Sequence, residues 1–471
     1  MKRSATVLVV LSLFTLLISG LAVAQDDGTS TPQQPAAQPA YQAAQGAIYR
    51  QPGTAIVPQS SVERAEDAGL RAHTNYEIFV PAGRTQSSIT PDNTFAESPS
   101  SLACVYGVGT KYTGCTPAGG TSANNASGGW GGIALVDAYD YPTATTDLAY
   151  FSSYFGLPAA TFAKVIANSS FGTLGGLKAS CSGTPQNGKV TGWDVEEALD
   201  IEWAHAMAPS AHIFLVEACT SSLNDLLYAE YVAGEKVNAL GGGDISNSWS
   251  TAEFVGEVGT TDQFFYYYYW NNISYFASAG DSGWGAAYPS SSPWVVSAGG
   301  TTINRDSIGN FLNESCWSGS GGGVSAYETW QNPPNISNGM GPWTDYQYSF
   351  AGQGARQTPD ISFDADPNSG VYVYDTDEGG TWYVVGGTSV ASPSLAGIVN
   401  NAENKFGQGP VGGGKYTPRE LNEIYSQLRA NRAYHANFYD VTTGSNGTGH
   451  NAGTGYDQCT GVGSPRGKLG K

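Results

Sequence analysis

Residues 386–393 read GGTSVASP, and this stretch decides how the fold is interpreted. The run WYVV at 382–385 leads into it as a strand, and a helical pattern leaves it from 394 to 404. Glycine permits a sharp strand-to-helix turn, so Ser389 would lie at a helix N-terminus with its hydroxyl pointing outward. The free N–H groups of that terminus can bind an oxyanion, which makes Ser389 a candidate nucleophile. Alternatively, the serine only caps the helix.

Strands and helices alternate upstream of this turn. Short apolar runs predict strands at 132–136, 213–217, 244–249, 274–278 and 294–298, and helical spacing predicts helices at 145–155, 195–208 and 222–233. Continuous apolar strands that alternate with helices are typical of a parallel sheet covered on both faces. The sequence therefore predicts an α/β fold with a mostly parallel central sheet and helices on both faces.

A serine nucleophile requires a base, and two carboxylates on a predicted helix are candidates for it. The segment DVEEALDIE at 194–202 places Glu196 and Asp200 four residues apart, on one helix face, whereas Glu197 and Glu202 point away. Like charges on one face cost stability unless the two groups share a proton or perform chemistry. Because the rest of the helix is apolar, we interpret the first two as a buried acid/base pair; a solvated acidic face is the alternative.

A third carboxylate follows the strand predicted at 274–278. Asp281 belongs to the glycine-containing segment AGDSG at 279–283, where its side chain can approach a substrate carbonyl. A protonated aspartate at such a position can donate a hydrogen bond to an oxyanion. The alternative is an aspartate in an ordinary tight turn.

Together these motifs resemble the sedolisins, the serine-carboxyl peptidase family with a subtilisin-like fold. The resemblance extends over roughly residues 100–467 in segments that keep the family's order, namely IALVDAYD (133–140), FGLP (155–158), EEALDIEWAHAMAP (196–209), SAGDSG (278–283), AGGT (298–301), PDISFDADP (359–367) and GGTS (386–389). It implies that Ser389 is the nucleophile, Glu196 the base, Asp200 its partner acid and Asp281 the oxyanion donor. The chain would then be a serine-type endopeptidase that hydrolyses peptide bonds through an acyl-enzyme at acidic pH.

Two other functions compete with this interpretation. GGTSVASP also resembles the serine motif of subtilisins, but none of the five histidines lies in the His-Gly-Thr setting that a subtilisin would need. His205 is five residues past Asp200 and so faces elsewhere on the helix. A catalytically silent secreted binding protein with the same fold is the other alternative, and the intact four-residue set argues against it. The segments SWS at 248–250 and SGGG at 320–323 are candidate edges for pairing with an extended substrate, or ordinary loops.

Two aspartate-bearing segments near the C-terminus, FYDVTTG at 438–444 and GTGYD at 453–457, hold hard oxygen atoms that suit Ca²⁺. The pattern is not an EF-hand, and chemistry alone leaves a glycine-rich turn as the alternative. The resemblance implies one structural calcium ion at this place. Its ligands would be two carboxylates and three backbone carbonyls, from Asp440, Val441, Gly453, Gly455 and Asp457.

The six cysteines form neither a CxxC pair nor a Cys/His zinc pattern, so a metal–thiolate site is not expected. An even number behind a signal peptide favours disulfides. The sequence leaves the pairing open. The short loop favours Cys104 with Cys115, and the set can be completed by Cys181 with Cys219 and, by elimination, Cys316 with Cys459.

The N-terminal residues differ in texture from the rest. Residues 1–24 combine a basic head, an apolar run and Ala-Val-Ala before the cleavage point, which predicts a signal peptide; a membrane anchor is the alternative. Residues 25–100 read as a disordered linker and a short N-terminal extension, and 101–471 as the peptidase domain. Sedolisins usually carry a long folded pro-segment. The sequence between Ala24 and the first core strand near Gly131 has too little hydrophobic patterning for such a segment. Either residues 47–130 act as a reduced pro-segment, or the chain matures without one.

The charge balance limits the partners. The chain has 21 Lys and Arg against 40 Asp and Glu, a formal net charge of -19, which argues against nucleic acid. Few basic groups mean little self-repulsion once carboxylates are protonated, which suits an acidic medium, although solubility alone can explain it. We expect a secreted monomer that acts on protein or peptide substrates and has no membrane contact after signal cleavage.

Overall fold

The computed structural model describes residues 47–91, 96–266, 272–329, 347, 354–377, 381–402, 417–429 and 431–471. The predicted signal peptide, residues 1–24, lies outside the described residues. So does the first part of the predicted linker, up to residue 46.

The strands of the described residues are numbered β1 to β21 in chain order. They are Gly53–Ile56, His73–Thr74, Glu77–Pro81, Gly132–Ala138, Thr161–Ala167, His212–Ala218, Gly243–Asn247, Trp249–Ala252, Ile273–Ser278, Ala287–Tyr288, Val296–Arg305, Phe311–Cys316, Gly323–Thr329, Ala355–Thr358, Ile361–Asp364, Val371–Asp375, Thr381–Gly386, Phe438–Tyr439, Ser445–Gly447, His450–Asn451 and Ser464–Pro465.

The helices are numbered α1 to α8 over the same residues. They are Pro99–Val105, Ala144–Phe155, Asp194–Met207, Leu223–Ala239, Gln263–Tyr266, Thr388–Ala402, Thr417–Arg429 and Asn431–Asn437.

The central sheet has the strand order β12-β11-β9-β7-β4-β6-β5, with β15 also beside β11. Every pair in it is parallel except β11 with β12. Its middle strand β4 is buried along its whole length, as expected for a parallel strand covered on both sides. The predicted mostly parallel α/β sheet is confirmed.

Helices cover both faces of this sheet because alternate residues of each strand point to opposite sides. On one face, Ile133 and Leu135 of β4 join a core cluster that contains Leu199 of α3 and Leu395 of α6. On the other face, Val136 joins a second cluster with residues of α4. The prediction of helices on both faces is therefore also confirmed.

Several boundaries differ from the sequence-based ones, and two of these differences lie in α6 and β11. The helix that follows the GGTS turn was predicted to begin at residue 394, but α6 begins at Thr388 and includes Pro393. Proline has no N–H to donate to the carbonyl of Ser389 four residues earlier. The hydroxyl of Ser248 lies 3.4 Å from that oxygen, and the helix continues through the proline. The strand predicted at 294–298 begins at Val296 and runs on to Arg305.

Residues 53–81 belong to the same compact unit as the central sheet. Strands β1 and β3 form an antiparallel sheet with β17 and β16, in the order β1-β3-β17-β16. The two-residue strand β2 pairs separately with β8. Because β17 leads directly into Ser389, this N-terminal part of the chain lies against the candidate nucleophile.

All six cysteines are paired: Cys104 with Cys115, Cys181 with Cys219, and Cys316 with Cys459. The three predicted pairings are thus confirmed. Over the described part of the chain, helices that could cross a lipid bilayer are absent, since none is both long and apolar enough.

Candidate active site

Ser389 stands in the first turn of α6, directly after the end of β17. The chain turns at Gly387, whose φ of 108° is one that side-chain-bearing residues rarely adopt. A Cβ at Gly387 would lie 2.1 Å from the carbonyl oxygen of Asn75, so a larger residue would also collide with the backbone there. The sharp strand-to-helix turn proposed from the glycines is present.

The contacts of Ser389 join two segments that are far apart in sequence. Its hydroxyl donates to the carbonyl of Ser248 at 3.1 Å and accepts the N–H of Asn75 at 3.2 Å. Its own N–H donates to the carbonyl oxygen of Asn75 at 3.0 Å. The candidate nucleophile therefore contacts both the carbonyl and the N–H of one residue, Asn75.

Helix α3 supplies the two carboxylates of the predicted acid/base pair, and every residue of this helix is buried. Burial raises the pKa of Glu196 well above its usual range, and the nearby Asp137 and Asp281 raise it further. The Ser389 hydroxyl and the Asn75 N–H lie beside this carboxylate and oppose the shift. Within the described residues neither Glu196 oxygen completes a full hydrogen bond, so the Ser389 hydroxyl would have to turn from Ser248 toward Glu196 to transfer its proton.

Asp200 lies one helical turn further along α3. The Ser248 hydroxyl donates to its Oδ1 at 2.7 Å. Burial raises the pKa of Asp200 well above its usual range, and the charges of Asp137 and Glu196 add to the rise. Because each carboxylate of the pair opposes ionisation of the other, the pair favours a state that holds a proton.

Asp281 follows β9 and faces the start of α6. The N–H and hydroxyl of Thr388 both donate to its Oδ1, at 2.8 and 2.7 Å. Its Oδ2 is buried and has no partner among the described residues, and burial raises the pKa of this carboxyl well above its usual range. This Oδ2 and the Asn75 carbonyl oxygen lie on the same side of Gly387. A Cβ at that glycine would be 2.5 Å from the first oxygen and 2.1 Å from the second. A proton on Oδ2 would thus be close to the oxygen held by Ser389.

Asp137 was missed as a site residue by the sequence analysis. It is fully buried at the carboxyl end of β4, and its two carboxylate oxygens have no hydrogen-bond partner in the described part of the chain. Burial raises its pKa to about 8. Burial contributes most to the raised pKa of Glu196 and of Asp200, and among the neighbouring charges that of Asp137 contributes most. The sequence did contain one indication of this role, because Asp137 ends an apolar strand and the carboxyl end of a parallel strand is a common place for a functional side chain.

The other two glutamates of α3 are buried as well but turn to other partners. Burial raises the pKa of Glu197 well above its usual range, the charge of Glu217 adds to the rise, and Lys164 opposes it. Glu202 accepts the N–H of Tyr374 at 3.1 Å. Both side chains are buried and do not reach solvent.

The comparisons with known proteins agree with this geometry. Residues 168–455, more than half of the chain, match the model of the subtilase family. This chain belongs to the subtilase family. Kumamolisin of Bacillus sp. (strain MN-32) is 31% identical over 308 residues, which is 59% of this subtilase and 50% of the relative. Sedolisin of Pseudomonas sp. (strain 101) is 31% identical over 197 residues, or 38% of this subtilase and 29% of the relative.

A solved structure of Pseudomonas sedolisin, a serine-carboxyl proteinase complexed with pseudo-iodotyrostatin, covers 79% of this subtilase and 96% of its own chain. The TM-score is 0.59 and the identity 23%, which establishes the fold. The predicted subtilisin-like fold is thereby confirmed, and the similarity to kumamolisin and sedolisin agrees with the predicted resemblance to the sedolisins. The chain spans half or less of the length of the two curated relatives.

The five predicted calcium ligands lie on two loops that contact each other. The N–H of Gly455 donates to Oδ1 of Asp440 at 3.0 Å, and the N–H of Gly453 donates to Oδ2 of Asp457 at 2.9 Å. Carboxylate and carbonyl oxygens are the ligands that Ca²⁺ prefers, so the chemistry of the predicted set, Val441 included, suits this ion. The described residues contain no group of three or more acidic, His or Cys side chains placed for a metal, so carbonyls would have to supply most of the ligands.

Proposed function

We propose that this subtilase is a secreted serine-carboxyl endopeptidase that hydrolyses peptide bonds at acidic pH. The observation that carries the proposal is the convergence of three groups on one residue of the backbone, Asn75. The Ser389 N–H donates to the Asn75 carbonyl and the Ser389 hydroxyl accepts the Asn75 N–H. Glu196 lies beside that hydroxyl and that N–H, and Asp281 lies near the carbonyl oxygen.

The reaction follows from these positions. The Ser389 hydroxyl gives its proton to Glu196 and attacks the substrate carbonyl carbon. Asp200 shares a proton with Glu196 and so limits the charge change in the buried pair. The Ser389 N–H and a protonated Asp281 donate to the oxyanion, and Glu196 returns the proton to the leaving amine. Water then hydrolyses the acyl-enzyme by the reverse proton transfers.

Three disulfides in the described structure support an oxidising compartment and hence secretion. We include one structural calcium ion in the proposal, held by the C-terminal loops through Asp440, Asp457 and the carbonyls of Val441, Gly453 and Gly455. It would stabilise the fold and take no part in proton transfer. The protein would act as a monomer on protein or peptide substrates.

The test is hydrolysis of a denatured protein at pH 4 by the wild type and two serine variants. Ser389→Ala should fold normally and lose activity by about a thousandfold or more, because the nucleophile is gone. Ser394→Ala is the matched control, since it removes a buried hydroxyl from the same helix that has no partner in the described residues. Retained activity in Ser389→Ala would refute the assignment. No hydrolysis by the wild type would favour a silent binding protein instead.

A further inference from the structure

The chain's own residues 72–76, here called the docked segment, run through the active site in extended form. Two of them form β2, which pairs antiparallel with the side of β8 that β10 leaves open, so that His73 lies opposite Ser250 and Thr74 opposite Trp249. Addition of an extended peptide to a sheet edge is a common way of binding peptides. The SWS segment predicted as a substrate edge is thus paired with a piece of the chain itself.

The next residue, Asn75, lies where a cleaved carbonyl would lie. Its carbonyl oxygen accepts the Ser389 N–H at 3.0 Å, close to the free Oδ2 of Asp281. The peptide bond that this carbonyl forms joins Asn75 to Tyr76. Both Asn75 and Tyr76 are 1% exposed, so the whole peptide unit is enclosed.

The chain is held on both sides of this bond. Upstream, the N–H of Ala72 donates to the carbonyl of Ser221 at 2.8 Å. Downstream, the Tyr76 hydroxyl donates to the carbonyl of Gly192 at 2.7 Å, and Ile78 of β3 pairs with Val385 of β17. A peptide bond fixed at both ends across a nucleophile is well oriented for attack.

The side chain of Asn75 enters a buried polar pocket. The Ser250 hydroxyl donates to its Oδ1 at 3.0 Å, and its Nδ2 donates to the Ser278 hydroxyl at 2.6 Å. Ser278 in turn donates toward the Asn247 carbonyl at 3.4 Å, which leaves its oxygen free to accept. The pocket therefore offers a donor to one end of a primary amide and an acceptor to the other. An apolar side chain would leave Ser250 without its acceptor and Ser278 without the amide N–H, and a carboxylate would have no N–H for Ser278.

We propose that this site selects asparagine on the acyl side of the cleaved bond, and that its first substrate is its own Asn75–Tyr76 bond. The inference rests on the proposed peptidase function. Ser389 Oγ would form an ester with the Asn75 carbonyl carbon while the C–N bond to Tyr76 breaks. The proton from Ser389 passes through Glu196 to the Tyr76 nitrogen, which becomes a new amino terminus, and water releases Asn75 as a free acid.

Cleavage would also free the site. All six cysteines lie after Tyr76, so no disulfide joins the two products. Until the N-terminal product dissociates, the docked segment blocks β8 and the pocket from other substrates.

One experiment follows the chain itself. Purified wild type and Ser389→Ala are incubated at pH 4, and intact mass and N-terminal sequencing locate any cut. The wild type should acquire Tyr76 as its N-terminus, whereas Ser389→Ala should keep the bond intact. Asn75→Ala should slow this cut at least about tenfold, since both pocket serines lose their partner. A wild type that digests denatured protein but leaves Asn75–Tyr76 uncut would overturn the inference and leave the proposed function standing.

A second experiment measures selectivity with the peptide Ala-His-Thr-Asn-Tyr-Glu and its Asn-to-Ala counterpart. The wild type should show a kcat/KM at least about tenfold higher for the asparagine peptide. Ser278→Ala should lose most of this preference. Ser274→Ala, which removes a buried and unpartnered hydroxyl from the same strand within the described residues, should keep it. Equal rates for the two peptides in the wild type would refute the asparagine pocket, while hydrolysis of neither peptide nor denatured protein would refute the peptidase function itself.

Discussion

At the scale of single residues, the account depends on carboxyl groups that keep their protons. One carboxyl oxygen of Asp281 accepts two hydrogen bonds from Thr388, and the other is buried without a partner in the described residues. Burial raises its pKa, so the neutral acid that can donate persists to higher pH than in a free aspartate. This makes Asp281 a donor whose strength depends on pH, unlike a backbone N–H.

Asp281→Asn tests that dependence, because an amide donates at any pH. We expect the maximal rate of hydrolysis to fall about tenfold to a hundredfold, since the amide is a weaker and differently placed donor. The decline of the rate on the alkaline side should become shallower than in the wild type. A pH–rate profile of both proteins measures the two effects, and an unchanged alkaline limb would contradict the role given to Asp281.

At the scale of elements, the sequence predicted most of what positions the site. The buried strands and helices α3 and α6 could be predicted because apolar runs and helical spacing are local patterns. The start of α6 could not, because the helix contains Pro393, and the carbonyl that this proline leaves without a helical donor lies near Ser248, a distant residue between β7 and β8. Strand β2 left no periodic signal, since it is two residues long and polar. The burial that raises the pKa of Asp137 likewise arises only from tertiary packing.

The two C-terminal loops carry the calcium proposal. If they hold Ca²⁺, a chelator should lower the melting temperature of the wild type by several degrees, because metal binding stabilises the folded state by mass action. Asp440→Asn should melt lower and no longer respond to chelator, whereas Glu235→Gln, an exposed change on α4, should respond like the wild type. Thermal melts and elemental analysis decide the question. A wild type without bound metal and without a chelator effect would exclude the site.

At the scale of the whole molecule, buried carboxyls link stability to pH. Burial raises the pKa of Asp137, Glu217, Glu230 and Asp375 to about 8 in each case. An unfolded chain loses such protons near pH 4, so between about pH 4 and 8 the native state binds more protons than the unfolded state. The stabilisation is fully present below about pH 4 and is lost as the pH rises through about 8.

We therefore expect the melting temperature to be highest in acid and to fall steadily toward pH 8. Glu230→Gln should flatten part of this slope and raise stability at pH 8 by up to a few kcal/mol, because it removes one buried titrating group. Glu235→Gln, exposed on the same helix, is the matched control and should leave the slope unchanged. Stability that instead rises from pH 4 to pH 8 would contradict the direction of these pKa shifts.

The central claim is that a carboxylate, Glu196, is the base for Ser389, and the pH dependence of wild-type hydrolysis tests it most directly. A free Glu titrates at about 4.3 and a free His at about 6.5, and a base works best near its own pKa. Asp281 and the Glu196–Asp200 pair must also keep their protons. Hydrolysis of denatured protein, measured from pH 2 to 9 with reversibility checked at each end, should peak at roughly pH 3 to 5 and be mostly lost, reversibly, by about pH 7. An optimum at pH 7 or above would contradict the carboxylate base.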